Sequence, residues 1–174
     1  MDKKILRITE TAVMTALLIA LQFATRSAGQ FVTGSCVNAV LALTVLLLGL
    51  WSGIVVAVLS PFFAFLLGIG PQVPAITPAI AVGNIVFVSL LWLLTRRKGA
   101  PPERQIAAWL VSAVGKFAAL YLIVVQILCR VLPLKQPQID TFSAMFAWPQ
   151  LVTALIGGAI ALLLTPLLRR ALKK

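Results

Sequence analysis

The sequence predicts an all-α integral membrane protein, a six-transmembrane-helix bundle with both termini cytoplasmic. Three observations carry this. Apolar residues make up 61% of the 174 and charged residues only 11%, whereas a soluble domain carries about 25% charged and 45–50% apolar residues. From Ser27 to Thr95 there is no Asp, Glu, Lys or Arg, and that length holds about three spans of roughly 20 residues each. The basic residues, which give a net charge of +11, sit in short clusters at the ends of apolar runs, which is how membrane orientation is encoded. They are not spread over a soluble face, so lipid and not nucleic acid is the expected partner of the charge.

The chain reads as a single membrane domain, 1–174. Its spans are expected at about 7–25, 32–50, 52–69, 78–95, 106–129 and 145–168. "GLWSG" (49–53) supplies the tight turn between the second and third. In lipid every backbone polar group must be satisfied within its segment, so the spans are helices. A barrel would need alternating polarity at period two, and none is visible. A basic start (Lys3, Lys4, Arg7) leads into further spans without a convincing cleavage region, so no signal peptide is read.

Orientation follows from the loops. One side carries Lys3, Lys4, Arg7, Arg96, Arg97, Lys98, Arg104, Arg169, Arg170, Lys173 and Lys174; the other carries Arg26, Arg130 and Lys135. The first side is cytoplasmic by the positive-inside rule, and an even number of spans agrees. The outer loops "RSAGQFVTG" (26–34), "GIGPQVPAITP" (68–78) and "RVLPLKQPQIDTF" (130–142) are rich in Gly, Pro, Gln and Thr. Such loops suit a lid over a small ligand, because they present backbone and amide groups. Ordinary connection between helices is the plainer reading.

Catalysis lacks its usual players. Histidine is absent, and the only acids are Asp2, Glu10, Glu103 and Asp140. No acid pair or cysteine–base arrangement is present for general acid–base or nucleophilic work, so the protein is not expected to be an enzyme. Cys36 and Cys129 lie in different apolar segments, and two thiols without histidine do not make a metal site. They read as small apolar fillers, with a disulfide left open.

The polar residues inside the spans are the candidates for binding. Lys116 lies about ten residues into the fifth span, roughly 15 Å along the helix and close to the midplane of a core about 30 Å thick. A lysine there costs at least about 2.5 kcal/mol, so a partner or a hydrated cavity is expected. At about 100° per residue, Ser112 and Arg130 fall within roughly 40° of Lys116, and Gln126 within about 80°. Two cations and no acid on one strip suggest an anion on the ligand, a carboxylate or a phosphate. Arg130 has a plainer reading as an interface marker, and Lys116 as a member of a polar network. Asn38, Asn84 and Gln150 are further candidates; the two asparagines serve equally well as glue between helices. Trp148 precedes Pro149-Gln150 and suits stacking on a planar ligand or an interfacial aromatic belt. Gln72, and with less weight Gln22 and Gln30, are lid candidates.

On the first helix, "ETAVMTALLIALQFA" places Ala12, Ala16, Ala20 and Ala24 four apart, hence on one face. A stripe of small residues lets another membrane helix approach closely. With "AVMTALLIA", the length and the six-span layout, the chain resembles a substrate-binding S component of an energy-coupling factor (ECF) transporter. The segment "TGSCVNAVLALTVLLLGLWSGIVVAVLSPFFAFLLGIGP" is similar to the second and third helices of such proteins. The glycine-rich pattern of the biotin-specific members is missing.

The resemblance implies a binding subunit in the plasma membrane of a prokaryote. It would capture a vitamin or similar micronutrient from outside and topple in the membrane to release it inward. Ala12, Ala16 and Ala20 match the family's A-x-x-x-A motif, which docks on the transmembrane coupling subunit. Two cytoplasmic ATPases would use ATP; this chain has no cofactor of its own and no G-x-x-x-x-G-K-[ST]. The alternative is a stand-alone secondary transporter, against which stands the lack of a deep carboxylate.

Overall fold

The computed structural model describes residues 2–96 and 101–172. Arg97, Lys98, Lys173 and Lys174, which were counted for orientation, lie outside the described residues. Among the described residues the chain is all-helical. The helices are α1 (Lys3–Thr25), α2 (Gln30–Leu48), α3 (Leu50–Leu66), α4 (Ile76–Thr95), α5 (Pro102–Val131), α6 (Gln136–Met145) and α7 (Trp148–Ala171). Among the described residues five segments are long and apolar enough to cross a membrane; α3 is apolar but has only 17 residues.

α2 is the central helix. It packs on α1, α3, α4 and α7, most extensively on α7. Its sequence is apolar on all sides, as a helix surrounded by others should be, and Val40, Leu41, Ala42, Thr44 and Val45 are all buried. α1 is peripheral, burying only Leu18 and Gln22. α2 and α7 approach each other closely, and Gly157 makes this possible. A Cβ there would stand 2.6 Å from Asn38 Cβ, 2.6 Å from the Ser35 carbonyl and 2.7 Å from the Ala39 nitrogen.

At one end of the bundle the chain reverses between α2 and α3 within a single residue. Gly49 has φ +90°, a conformation that costs only glycine nothing. The last carbonyls of α2 have no partner within the helix. Arg7 donates to the Leu48 carbonyl at 2.9 Å and Arg169 to the Leu46 carbonyl at 2.8 Å. The two cations also complement the negative end of the helix dipole.

The opposite end departs from the expected layout. The stretch 130–142, read as a loop, folds from Gln136 into α6. Pro137 sits in the first turn, where its missing N–H is no loss, and the Gln138 side chain accepts from the Lys135 backbone N–H at 3.0 Å. Ile139, Phe142 and Met145 face a small apolar cluster with Ile76, Leu120, Val124 and Phe146. The glutamines and prolines that suggested a loop cover only the outer side of this short amphipathic helix.

α5 is also not a uniform α-helix. Tyr121–Leu128 is π-helical, so residues five apart are brought together there. The 100° progression that placed Arg130 and Gln126 on the Lys116 strip stops at Leu120.

Candidate functional site

A cavity of about 300 Å³ opens at the α6 end of the bundle, at the lower edge of the range for small-molecule sites. Its rim includes Arg26, Gly29, Gly70 and Pro71 from the connections. Its walls carry Gln22 of α1, Gln30 and Thr33 of α2, Ser60 and Phe65 of α3, Thr77 and Ile80 of α4, Phe146 between α6 and α7, and Gln150 of α7. Asn38, Asn84 and Lys116 close it at depth. Asn38 and Asn84 each lie eight residues into their helices, about 12 Å from the helix starts.

Lys116 is 3% exposed. Its ammonium donates to Asn38 Oδ1 at 2.6 Å and to Asn84 Oδ1 at 2.7 Å. An ammonium has no acceptor capacity, so both amides must turn their oxygens to it. Their nitrogens then point away and donate onward, Asn38 to Thr153 Oγ1 and Asn84 to the Ala57 carbonyl, each at 3.3 Å. One lysine of α5 thereby connects α2, α4, α7 and α3. The Phe87 ring lies 5.7 Å from the nitrogen, within cation–π range. Among the described residues no acid lines the cavity, so the two amides solvate the charge without neutralising it.

Gln22 is 5% exposed. Its amide nitrogen donates to Ser60 Oγ at 3.4 Å, and its side-chain oxygen has no partner. Gln30 and Gln150 both donate to the Met145 carbonyl, at 2.6 and 3.2 Å. Gln30 thereby ties the start of α2 to the α6–α7 junction beside the cavity, and Gln150 braces that junction from α7.

Of the residues singled out from the sequence, the structure brings Lys116, Asn38, Asn84 and Gln150 to one cavity, together with Gln22 and Gln30. It leaves Gln126, Arg130, Trp148 and Gln72 outside the lining. Gln126 donates to the Tyr121 hydroxyl at 2.9 Å, across the five-residue spacing that π-helical geometry brings together, and accepts from the exposed Arg130. Trp148 is 62% exposed and rests on Phe31 with ring centroids 5.5 Å apart. Gln72 is exposed and donates to its neighbour Gly70. Ser112 is buried and bonds the Ala108 carbonyl of its own helix.

Thr33, Ser60 and Thr77 line the cavity and went unnoticed in the sequence. Hydroxyls in apolar helices usually satisfy themselves on the preceding turn, so their presence carries little signal. Arg26 had been read only for orientation. Both cysteines are free, and among the described residues no three His, Cys, Asp or Glu side chains cluster.

On the outer side of α1, Ala12, Ala16 and Ala20 are all exposed. Ala12 and Ala16 line an open groove of about 710 Å³ between α1 and α3, walled by Trp51, Val55, Leu59 and Phe63. The family model described as ECF transporter, substrate-specific component matches residues 6–169.

The chain belongs to this family. It is the substrate-specific component of an ECF transporter, embedded in the membrane through its apolar helices. This is a family of transporter binding subunits and not of enzymes. Searches among curated proteins and among solved structures found no match.

Proposed function

We propose that this S component captures a vitamin or related small, anionic micronutrient in the cavity above Lys116, for ATP-driven import by partner subunits. The observation that carries the reading is a buried ammonium held only by neutral amides, facing a cavity without an acid. A buried charge without a counter-charge is destabilising. An anionic ligand group relieves this, and a charge-assisted hydrogen bond to it is about twice as strong as a neutral one.

The protein sits in the plasma membrane of a prokaryote, termini in the cytoplasm, with the cavity facing outward. Arg7 and Arg169 cap α2 at the end away from the cavity, which fits the positive-inside rule. The partners are the coupling subunit and two cytoplasmic ATPases. The chain itself uses no cofactor, and ATP is used by the ATPases. Ala12, Ala16 and Ala20 form the docking stripe; Ala12 and Ala16 line the α1–α3 groove, where small side chains let a partner helix approach.

Vesicle uptake tests the division of labour. Candidate micronutrients should accumulate only when the ATPase–coupling module is present. Accumulation by the protein alone on an ion gradient overturns the reading. Ala16→Trp fills the groove and should abolish module-dependent uptake while leaving ligand affinity within about twofold.

A further inference from the structure

We propose that the ligand is a small organic monocarboxylate read at two ends: its carboxylate by the Lys116 ammonium at the floor, and an N–H or O–H donor by the Gln22 side-chain oxygen in the wall. This narrows the ligand class and rests on the capture role proposed above.

The floor selects charge and shape together. Lys116 has three donors, of which Asn38 and Asn84 take two. One remains. Two amide oxygens flank it, and they repel further anionic oxygens. A carboxylate can place a single oxygen on the remaining donor and hold the other clear. A phosphate with one oxygen on that donor leaves two further charged oxygens beside the same two acceptors. A cation meets the like charges of Lys116 and, at the rim, Arg26. A neutral molecule leaves the ammonium uncompensated.

The wall asks for the complementary group. Gln22 Oε1 is a buried acceptor with no donor, and such an atom costs its full desolvation until a donor reaches it. It belongs to α1 and Lys116 to α5, and both residues line the cavity, so one bound molecule can meet both. Ser60 beside Gln22 adds a hydroxyl that can donate or accept. A cavity of about 300 Å³ admits a small metabolite of this kind.

The test uses the full chain in lipid nanodiscs and a panel of small monocarboxylates carrying a distal hydroxyl or amide. Each is paired with its methyl ester and with an analogue lacking the distal donor, and affinities are read by titration. Acids should bind at least about tenfold more tightly than their esters, a difference of roughly 1.4 kcal/mol. Lys116→Met should bring that ratio close to one. Gln22→Leu should remove the penalty for losing the distal donor while keeping the preference for acid.

The inference is overturned if wild-type protein binds esters as well as acids, a comparison that needs no variant. A panel with no binding acid overturns it too, as does an acid preference that survives in a folded Lys116→Met protein. Assembly with the coupling subunit and ATPases, and ATP-dependent uptake of whatever neutral compound binds, separate its failure from failure of the capture role. Uptake intact with esters equal to acids leaves the S component standing and removes only the carboxylate.

Discussion

Gly157→Ala tests how the floor of the cavity is held. The added Cβ would meet Asn38 Cβ, the Ser35 carbonyl and the Ala39 nitrogen at 2.6–2.7 Å. Two of these are backbone atoms of α2, so no rotamer change makes room. Ordinary contact lies about 1 Å further out, near the 3.5–4.0 Å optimum for carbon pairs, so α2 and α7 must separate by about that much. The Asn38–Thr153 hydrogen bond joins the same two helices at 3.3 Å. It would open to about 4.3 Å, beyond hydrogen-bond range.

Overpacking costs about 1–3 kcal/mol, and the lost bond adds about 1 kcal/mol. The expected destabilisation is therefore about 2–4 kcal/mol. Thermal unfolding in detergent should show a clear fall in midpoint. Affinity should fall as well, because Asn38 no longer holds the lysine from a fixed position. An alanine protein with unchanged midpoint and unchanged affinity refutes the claim that Gly157 sets the α2–α7 distance.

Three further outcomes are expected. Trp148→Ala and Arg130→Gln should leave ligand affinity within about twofold, since neither residue lines the cavity; a large loss in titration contradicts the assigned lining. Arg7→Ala removes a cap from α2 and should cost about 1 kcal/mol, read as a midpoint drop of roughly 2–4 °C. Lys116→Met should leave the ligand-free protein folded: losing a buried charge relieves at least about 2.5 kcal/mol, while two orphaned amide oxygens cost about 1–3 kcal/mol each. Its ligand affinity should nonetheless fall more than tenfold, and a folded variant with wild-type affinity makes Lys116 structural.

The apolar runs and their charged ends were legible because lipid leaves the backbone few options. Residues near the middle of each span, such as Asn38, Asn84 and Lys116, could be placed at similar depth from length alone. Two features broke the reading, both at the cavity end. α6 was hidden because four of its first five residues are polar or proline, and its apolar residues find their partners, Leu120 and Val124, only in the tertiary fold. The strip on α5 failed at Tyr121, because a wheel assumes a constant turn and nothing in "YLIVVQIL" announces a π-helix. Depth along a helix was therefore better determined than direction around it. Gln22 shows the same limit from the other side: its position near the end of α1 was plain, but its unpaired oxygen depends on where α3 lies.

The choice of partners for Lys116 bears on how the site works. A glutamate or aspartate at position 38 or 84 would pair with the ammonium and close the charge balance within the protein. Such a pair is hard to break, since removing one member of a buried ion pair costs about 3–5 kcal/mol. An arriving anion would compete with it and gain little. Asparagine oxygens at 2.6 and 2.7 Å orient the ammonium and offset part of its desolvation, yet leave its charge unanswered. The remaining electrostatic deficit is then available to the ligand alone. Asn84→Asp should therefore weaken ligand binding strongly while raising the unfolding midpoint of the empty protein, and a variant that gains stability without losing affinity would show that the ligand never met this charge.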